Sequence, residues 1–148
     1  MQLYGAGNAV TLSSPGAFYS YSVPANTLAD NGDALLVEFG FRTNGTGTTT
    51  EYSLVWGGTT IVSYAAFNTN GDDGIIRAVI LRTGATSQRL AGTILGTTVG
   101  GAVILVKNGF AAGGATLSGA VTVSANLASI SGGNEGIGNL FSVTLFQV

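Results

Sequence analysis

Seven carboxylates, Asp30, Asp33, Glu38, Glu51, Asp72, Asp73 and Glu135, and one lysine, Lys107, carry most of the reactive chemistry in this 148-residue sequence. Histidine and cysteine are both absent. A Ser-His-Asp triad, a zinc-hydrolase centre and a thiolate nucleophile therefore cannot be built by the chain alone. A serine–lysine dyad would have to use Lys107, and Val106-Lys107-Asn108-Gly109 reads as a hairpin turn with a solvated charge. Paired carboxylates could cleave a polysaccharide, one as acid and the other as base or nucleophile. Asp72 and Asp73 are adjacent, so on an extended chain they point apart, and the remaining acids fall in turns or on outward strand faces. The pattern predicts no catalytic residue and no enzyme.

Ligand motifs are equally thin. Asn68-Thr69-Asn70-Gly71-Asp72-Asp73-Gly74 concentrates oxygen ligands on a glycine-bearing loop, but it lacks the spacing and the closing bidentate glutamate of an EF-hand. Gly5-Ala6-Gly7-Asn8 and Gly113-Gly114 lack the following helix and the Lys-Ser/Thr pair that would cradle phosphate, so they read as turn glycines. No metal and no cofactor is expected. Tyr19, Tyr21, Phe39, Phe41 and Trp56 could stack on a carbohydrate or fill a core or interface; alternation sets Phe39 and Phe41 beside Leu35 and Val37, as on a core face.

Composition narrows the partners. Charged residues make up 8% of the chain, against roughly a quarter in ordinary soluble domains. Neutral hydrogen-bonding residues, including 18 threonines, must face water, and the rest is available to other subunits. Five Lys+Arg and a net charge of −2 give no basic field for phosphates or anionic lipid, which argues against nucleic-acid and membrane partners. The mostly apolar, uncharged stretch Leu90 to Val106 is broken by threonines and glycines and falls short of the ~20 residues of a spanning helix. It reads as two strands around a Gly-rich turn. The start, Met1-Gln2-Leu3-Tyr4, lacks the basic and apolar regions of a secretory signal, and the chain is expected to be a complete gene product.

These residues must be positioned by strands, because glycine, present 24 times, interrupts every helical period. Phe18 to Val23 alternates and ends at Pro24, which withholds a ladder donor. Ala34 to Arg42 sets Leu35, Val37, Phe39 and Phe41 against Glu38 and Arg42. Glu51 to Trp56 and Thr59 to Ser63 flank Gly57-Gly58 as a tight hairpin. Ile75 to Arg82 turns through Thr83–Ser87 into Gln88 to Leu95, followed by Ala102 to Val106, Gly119 to Asn126 and Asn139 to Gln147, with Leu127 to Gly138 as a glycine-bearing connection. About eight to nine strands in one domain, residues 1–148, predict an antiparallel β-sandwich of jelly-roll type.

The hairpin Tyr52–Thr59, the pair Ile76–Arg89 and the closing Phe141–Phe146 resemble small jelly-roll virion proteins of tailed bacteriophages, a group that includes capsid decoration (cement) proteins and fibre or spike domains. The resemblance spans roughly Ala34 to Val148 and is one of strand and turn order. It implies a homotrimeric structural protein on the capsid surface of a virion, made in the host cytoplasm, that binds the major capsid protein and stabilises the head; the alternative is a receptor-binding or adhesin module of a tail fibre or head spike. A product beginning at Met1 fits the stand-alone decoration protein better. The nearly uncharged segment from Met1 to Pro15 is the candidate capsid-contact arm, with Leu3 and Tyr4 as anchors, or else a first edge strand of the sandwich.

Overall fold

The computed structural model describes residues 1–47, 49–65, 71–97 and 103–148, with residues 103–106 described through their backbone. Its strands are β1 (Gln2–Ala6), β2 (Val10–Leu12), β3 (Gly16–Val23), β4 (Ala34–Gly45), β5 (Thr50–Trp56), β6 (Thr59–Ala65), β7 (Asp73–Gly84), β8 (Ser87–Thr97), β9 (Val103–Gly113), β10 (Val121–Ile130) and β11 (Asn134–Phe146). A seven-stranded sheet runs β1-β11-β4-β7-β8-β9, with β2 also pairing to β11; a four-stranded sheet runs β3-β10-β5-β6. Every pairing is antiparallel. The chain changes sheets between β2 and β3, β3 and β4, β4 and β5, β6 and β7, β9 and β10, and β10 and β11. It is an antiparallel β-sandwich of jelly-roll type.

The nine strands read from the sequence are present, and β1 and β2 bring the described total to eleven. Gly57 and Gly58 have φ of 52° and 83°, the doubly positive turn that lets β5 and β6 pair without splaying. Leu90 to Val106 falls in β8 and β9, with residues 98–102 outside the described residues. No described helix is long and apolar enough to cross a membrane.

Alternation builds the core. Leu35, Val37, Phe39 and Phe41 of β4 and Ile76, Ala78 and Ile80 of β7 are buried, facing Tyr52, Leu54 and Trp56 of β5 and Val123, Ala125 and Leu127 of β10. Between the sheets lies an aromatic cluster: Phe41 stacks on Tyr52 with ring centroids 3.9 Å apart, and Tyr19 lies parallel to Phe141 at 5.7 Å. The hydroxyls of the two buried tyrosines are held. Tyr52 donates to the Arg42 carbonyl at 2.8 Å and sits 3.1 Å from Thr43 Oγ1. Burial pushes the Tyr52 phenol up to about 12, with Thr43 opposing and the Asp72 and Asp73 charges adding to the rise. Tyr19 shares its proton between the carbonyls of Asn8 and Gly138, at 2.6 and 2.8 Å, which ties the β1–β2 loop to β11.

Two segments read as turn or connection are strand interior. Gly136 and Gly138, placed by sequence in the connection after Leu127, lie within β11. A Cβ on Gly136 would sit 2.8 Å from Phe18 Cζ, and one on Gly138 2.8 Å from Tyr19 Cε2. These glycines let the aromatics of β3 lie against the opposite sheet's backbone. Likewise Lys107 to Gly109 is not a hairpin turn but the middle of β9. A Cβ on Gly109 would stand 2.3 Å from the Ile61 carbonyl oxygen and 2.8 Å from Val62 Cβ, where β6 closes against β9. That obstacle is backbone and cannot swing aside.

At the end where β4 begins, the buried Asp33 organises three chain segments. Its Oδ2 accepts from the Ala29 and Asp30 N–H groups, both at 2.9 Å, and its Oδ1 accepts from the Val148 N–H at 3.2 Å. The backbone bond from Asp30 lowers the Asp33 pKa most; desolvation opposes it, and Val148, Ala29 and the Arg82 charge add to the lowering.

Gly109→Ala is expected to destabilise the fold by about 1–3 kcal/mol, read as a lower denaturant midpoint, because the clash is with fixed backbone. A midpoint equal to wild type would contradict the close approach of β6 and β9. Asp33 contributes stability above the ordinary carboxylate value near pH 4, and that contribution is lost as pH falls through its depressed native value. Asp33→Asn should therefore be less stable at neutral pH and show a shallower loss between about pH 4 and 2, measured by thermal melts across that range.

Candidate functional site

At the other end of β4, two glycine-bearing loops meet. After β4 the chain turns at Gly45, whose φ is 119°, and a Cβ there would lie 2.0 Å from the Gly133 carbonyl oxygen. Between β10 and β11 the turn Ser131-Gly132-Gly133-Asn134 closes with Asn134 N–H donating to the Ser131 carbonyl at 3.3 Å. Gly133 has a φ of 87°, which a side chain would resist.

Side chains of this turn lock it to the β4–β5 loop. Buried Asn134 accepts from Gly47 N–H at 2.5 Å through Oδ1 and donates to Thr50 Oγ1 at 2.9 Å through Nδ2. Ser131 Oγ accepts from Thr49 N–H at 3.0 Å and donates to the Thr49 carbonyl at 3.1 Å. Thr46 N–H donates to the Gly133 carbonyl at 3.2 Å. Together with Ser13, which follows β2, these loops enclose a cleft of about 400 Å³ lined also by Asn44, Gly45, Ile130 and Glu135.

The lining divides by role. Asn134 and Ser131 are committed to holding the loops. Of the other polar lining residues Ser13 and Glu135 are exposed and Asn44 is half-buried, Asn44 donating from Nδ2 to Glu135 Oε2 at 3.3 Å across the β4–β11 pair. Gly132 would have open space around an added Cβ, so its backbone is approachable. The cleft thus offers an amide, a hydroxyl, one carboxylate and the apolar edge of Ile130, a set that can give and take hydrogen bonds with little net charge.

The acids do not converge elsewhere. Glu38 pairs with Arg77 on the outer face of the larger sheet, at 2.8 Å; Asp73 pairs with Arg42 at 3.4 Å; Glu51 accepts from Ser129 Oγ at 3.2 Å on the smaller sheet. Among the described residues no group of three acids could share a metal ion. Of the loop Asn68–Gly74, residues 68–70 lie outside the described residues; Asp72 is buried and Asp73 exposed. Of the aromatics considered for carbohydrate stacking, Tyr19, Phe39, Phe41 and Trp56 are core, and Trp56 Nε1 donates to the buried Gln88 at 3.2 Å. Tyr21 is half-buried. Leu3 and Tyr4 lie in β1, the edge-strand placement that the sequence allowed, half-buried, with Tyr4 stacked on Tyr21 at 5.0 Å.

Sequence reasoning took Glu135 for a solvated turn acid and did not single out Asn44, Ser131 or Asn134. Their signal is local: Asn44-Gly45 and Ser131-Gly132-Gly133-Asn134 are turn glycines flanked by side chains that hydrogen-bond backbone. That the two turns meet is a tertiary fact.

No protein family matches the sequence, and no curated protein matches it. Solved structures similar to it include the CBM2 module of the evolved Dit of Lactobacillus casei BL23 phage J-1, 12% identical with a TM-score of 0.39, covering 84% of this chain and 66% of that one. The chain thus spans just under two thirds of that structure. The Lotus tetragonolobus seed lectin is 9% identical with a TM-score of 0.46, covering 99% and 98% of the two chains. Peanut lectin with a 9mer peptide is 11% identical with a TM-score of 0.40, covering 98% and 92%. Likenesses at this level decide neither ligand nor descent; the fold rests on the strand pairings themselves.

Asn134→Ala is expected to cost about 1–3 kcal/mol, because it strips partners from buried groups of the neighbouring loop. Asn44→Ala and Glu135→Ala, on the cleft lining, should each stay within about 0.5 kcal/mol of wild type. Urea denaturation of the three variants checks both statements, and a destabilising Glu135→Ala would make that residue part of the scaffold.

Proposed function

We propose that this chain is a non-catalytic recognition module of a virion surface, a receptor-binding or adhesin domain that takes a neutral saccharide in the loop-end cleft. One observation carries the reading: Asn134 and Ser131 hydrogen-bond the two loops to each other, and Asn44, Glu135 and Ser13 line a cleft of about 400 Å³ beside them. Vicinal sugar hydroxyls each donate and accept, which suits a carboxylate beside an amide, and Ile130 supplies an apolar patch for ring C–H groups. Loop segments already hydrogen-bonded to one another lower the ordering cost that weak polar ligands would otherwise meet.

Placement on a virion comes from the resemblance in strand order. On a head, as a decoration protein stabilising the capsid, the contact to the major capsid protein would be made from the docked edge strand that carries Leu3 and Tyr4.

A glycan array probed with the whole chain, followed by calorimetry on the strongest saccharide, tests this reading. Glu135→Ala and Asn44→Ala should each weaken binding about tenfold or more, the loss of one or two hydrogen bonds, with melting unchanged. Absence of any glycan binding, together with co-sedimentation on empty phage heads, would replace the adhesin reading with decoration.

A further inference from the structure

The two outer faces of the sandwich differ in chemistry. On the four-stranded sheet, Ser20, Ser22, Thr122, Ser124 and Asn126 form a hydroxyl- and amide-covered surface. The seven-stranded sheet instead turns large apolar side chains to solvent: Phe110 is 81% exposed, Phe146 54%, Val79 43% and Leu140 39%. Strand register aligns them into bands. Thr144, Leu36, Val79, Ala91 and Phe110 lie in one row across five strands. The neighbouring row, Ser142, Glu38, Arg77, Thr93 and Asn108, is polar and centred on the Glu38–Arg77 pair, and beyond it lies Leu140, Gly40, Ile75 and Leu95.

We infer that this outer face is the contact surface for a second copy of the chain, packed about a two-fold axis that runs along the strands between β4 and β7. The pattern is self-complementary about that axis. Rotation exchanges β4 with β7 and β11 with β8 while keeping each row in place. Glu38 then meets Arg77 of the second copy and Arg77 its Glu38, closing a four-charge cluster. Leu36 meets Val79, Leu140 meets Leu95, and Phe146 lies over Arg89, a cation–π contact. No like charges oppose one another, as an isologous interface requires. With strands roughly 4.8 Å apart and rows roughly 6.8 Å apart, the four strands that the axis exchanges, by four rows, cover on the order of 500 Å² per copy, about 1,000 Å² for the pair, the size a specific interface has to reach. Facing sheets of matched twist are a standard packing.

Sedimentation equilibrium on the full chain, with near-UV circular dichroism to confirm folding, tests the assignment. Wild type should show a reversible dimer of twice 14.8 kDa. Arg77→Glu, which sets four carboxylates together, and Val79→Glu, which drives a charge against Leu36 of the second copy, should each weaken the dimer at least tenfold without unfolding it. The double exchange Glu38→Arg with Arg77→Glu should restore it. A monomer at the highest soluble concentration, a trimer, or an association indifferent to all three variants would overturn the inference.

Discussion

The close approach of the two sheets through glycine is the constraint on which the rest of the molecule depends. With 8% charged residues and no disulfide, the chain is held by its core, and that core is aromatic. Rings of this size fill the space between sheets only where the facing backbone carries no side chain. Gly136 and Gly138 receive Phe18 and Tyr19 from the opposite sheet, and Gly109 receives the backbone of β6 at Ile61 and Val62; within the larger sheet Gly74, the cross-strand partner of Phe41, leaves room for that ring. Once the rings are seated, their hydroxyls fall beside backbone acceptors, and β11 is fixed between β1 and β4. The position of β11 in turn sets the β10–β11 turn, and with it the cleft.

Much of the fold was legible because its signals are local. Alternation over Ala34–Arg42 named the buried residues of β4 correctly, Ile75–Arg82 was legible as a strand, and Gly57-Gly58 announced its own hairpin. What failed was the meaning of glycine. At Gly57 it supplies a positive φ; at Gly109, Gly136 and Gly138 it supplies room, and the sequence around these three does not distinguish the cases. Reading them as turns shortened β9 and β11. The short β1 and β2 have too few residues for a period, and it is pairing with β11 that makes them strands.

The candidate site was less legible than the scaffold. Each of its turns is visible as glycine beside Ser or Asn, but Asn44 and Glu135 become neighbours only because β4 and β11 pair in register. The absence of histidine and cysteine had already removed the common catalytic designs, and the acids that remain are distributed over opposite ends and faces of the sandwich. The cleft and the exposed apolar side chains lie on different parts of the sandwich, so the two proposals concern separate surfaces, and a ligand at the loop end would leave the flank free.

Amide shift mapping by NMR with a bound saccharide tests the central claim most directly, because it reports location independently of affinity. Saturating ligand should move the amides of Asn44, Gly132, Gly133 and Glu135 and leave the outer faces of both sheets unchanged. Shifts gathered instead on the hydroxyl-covered face of the smaller sheet, around Ser22 and Thr122, would contradict the assignment of the cleft as the recognition site.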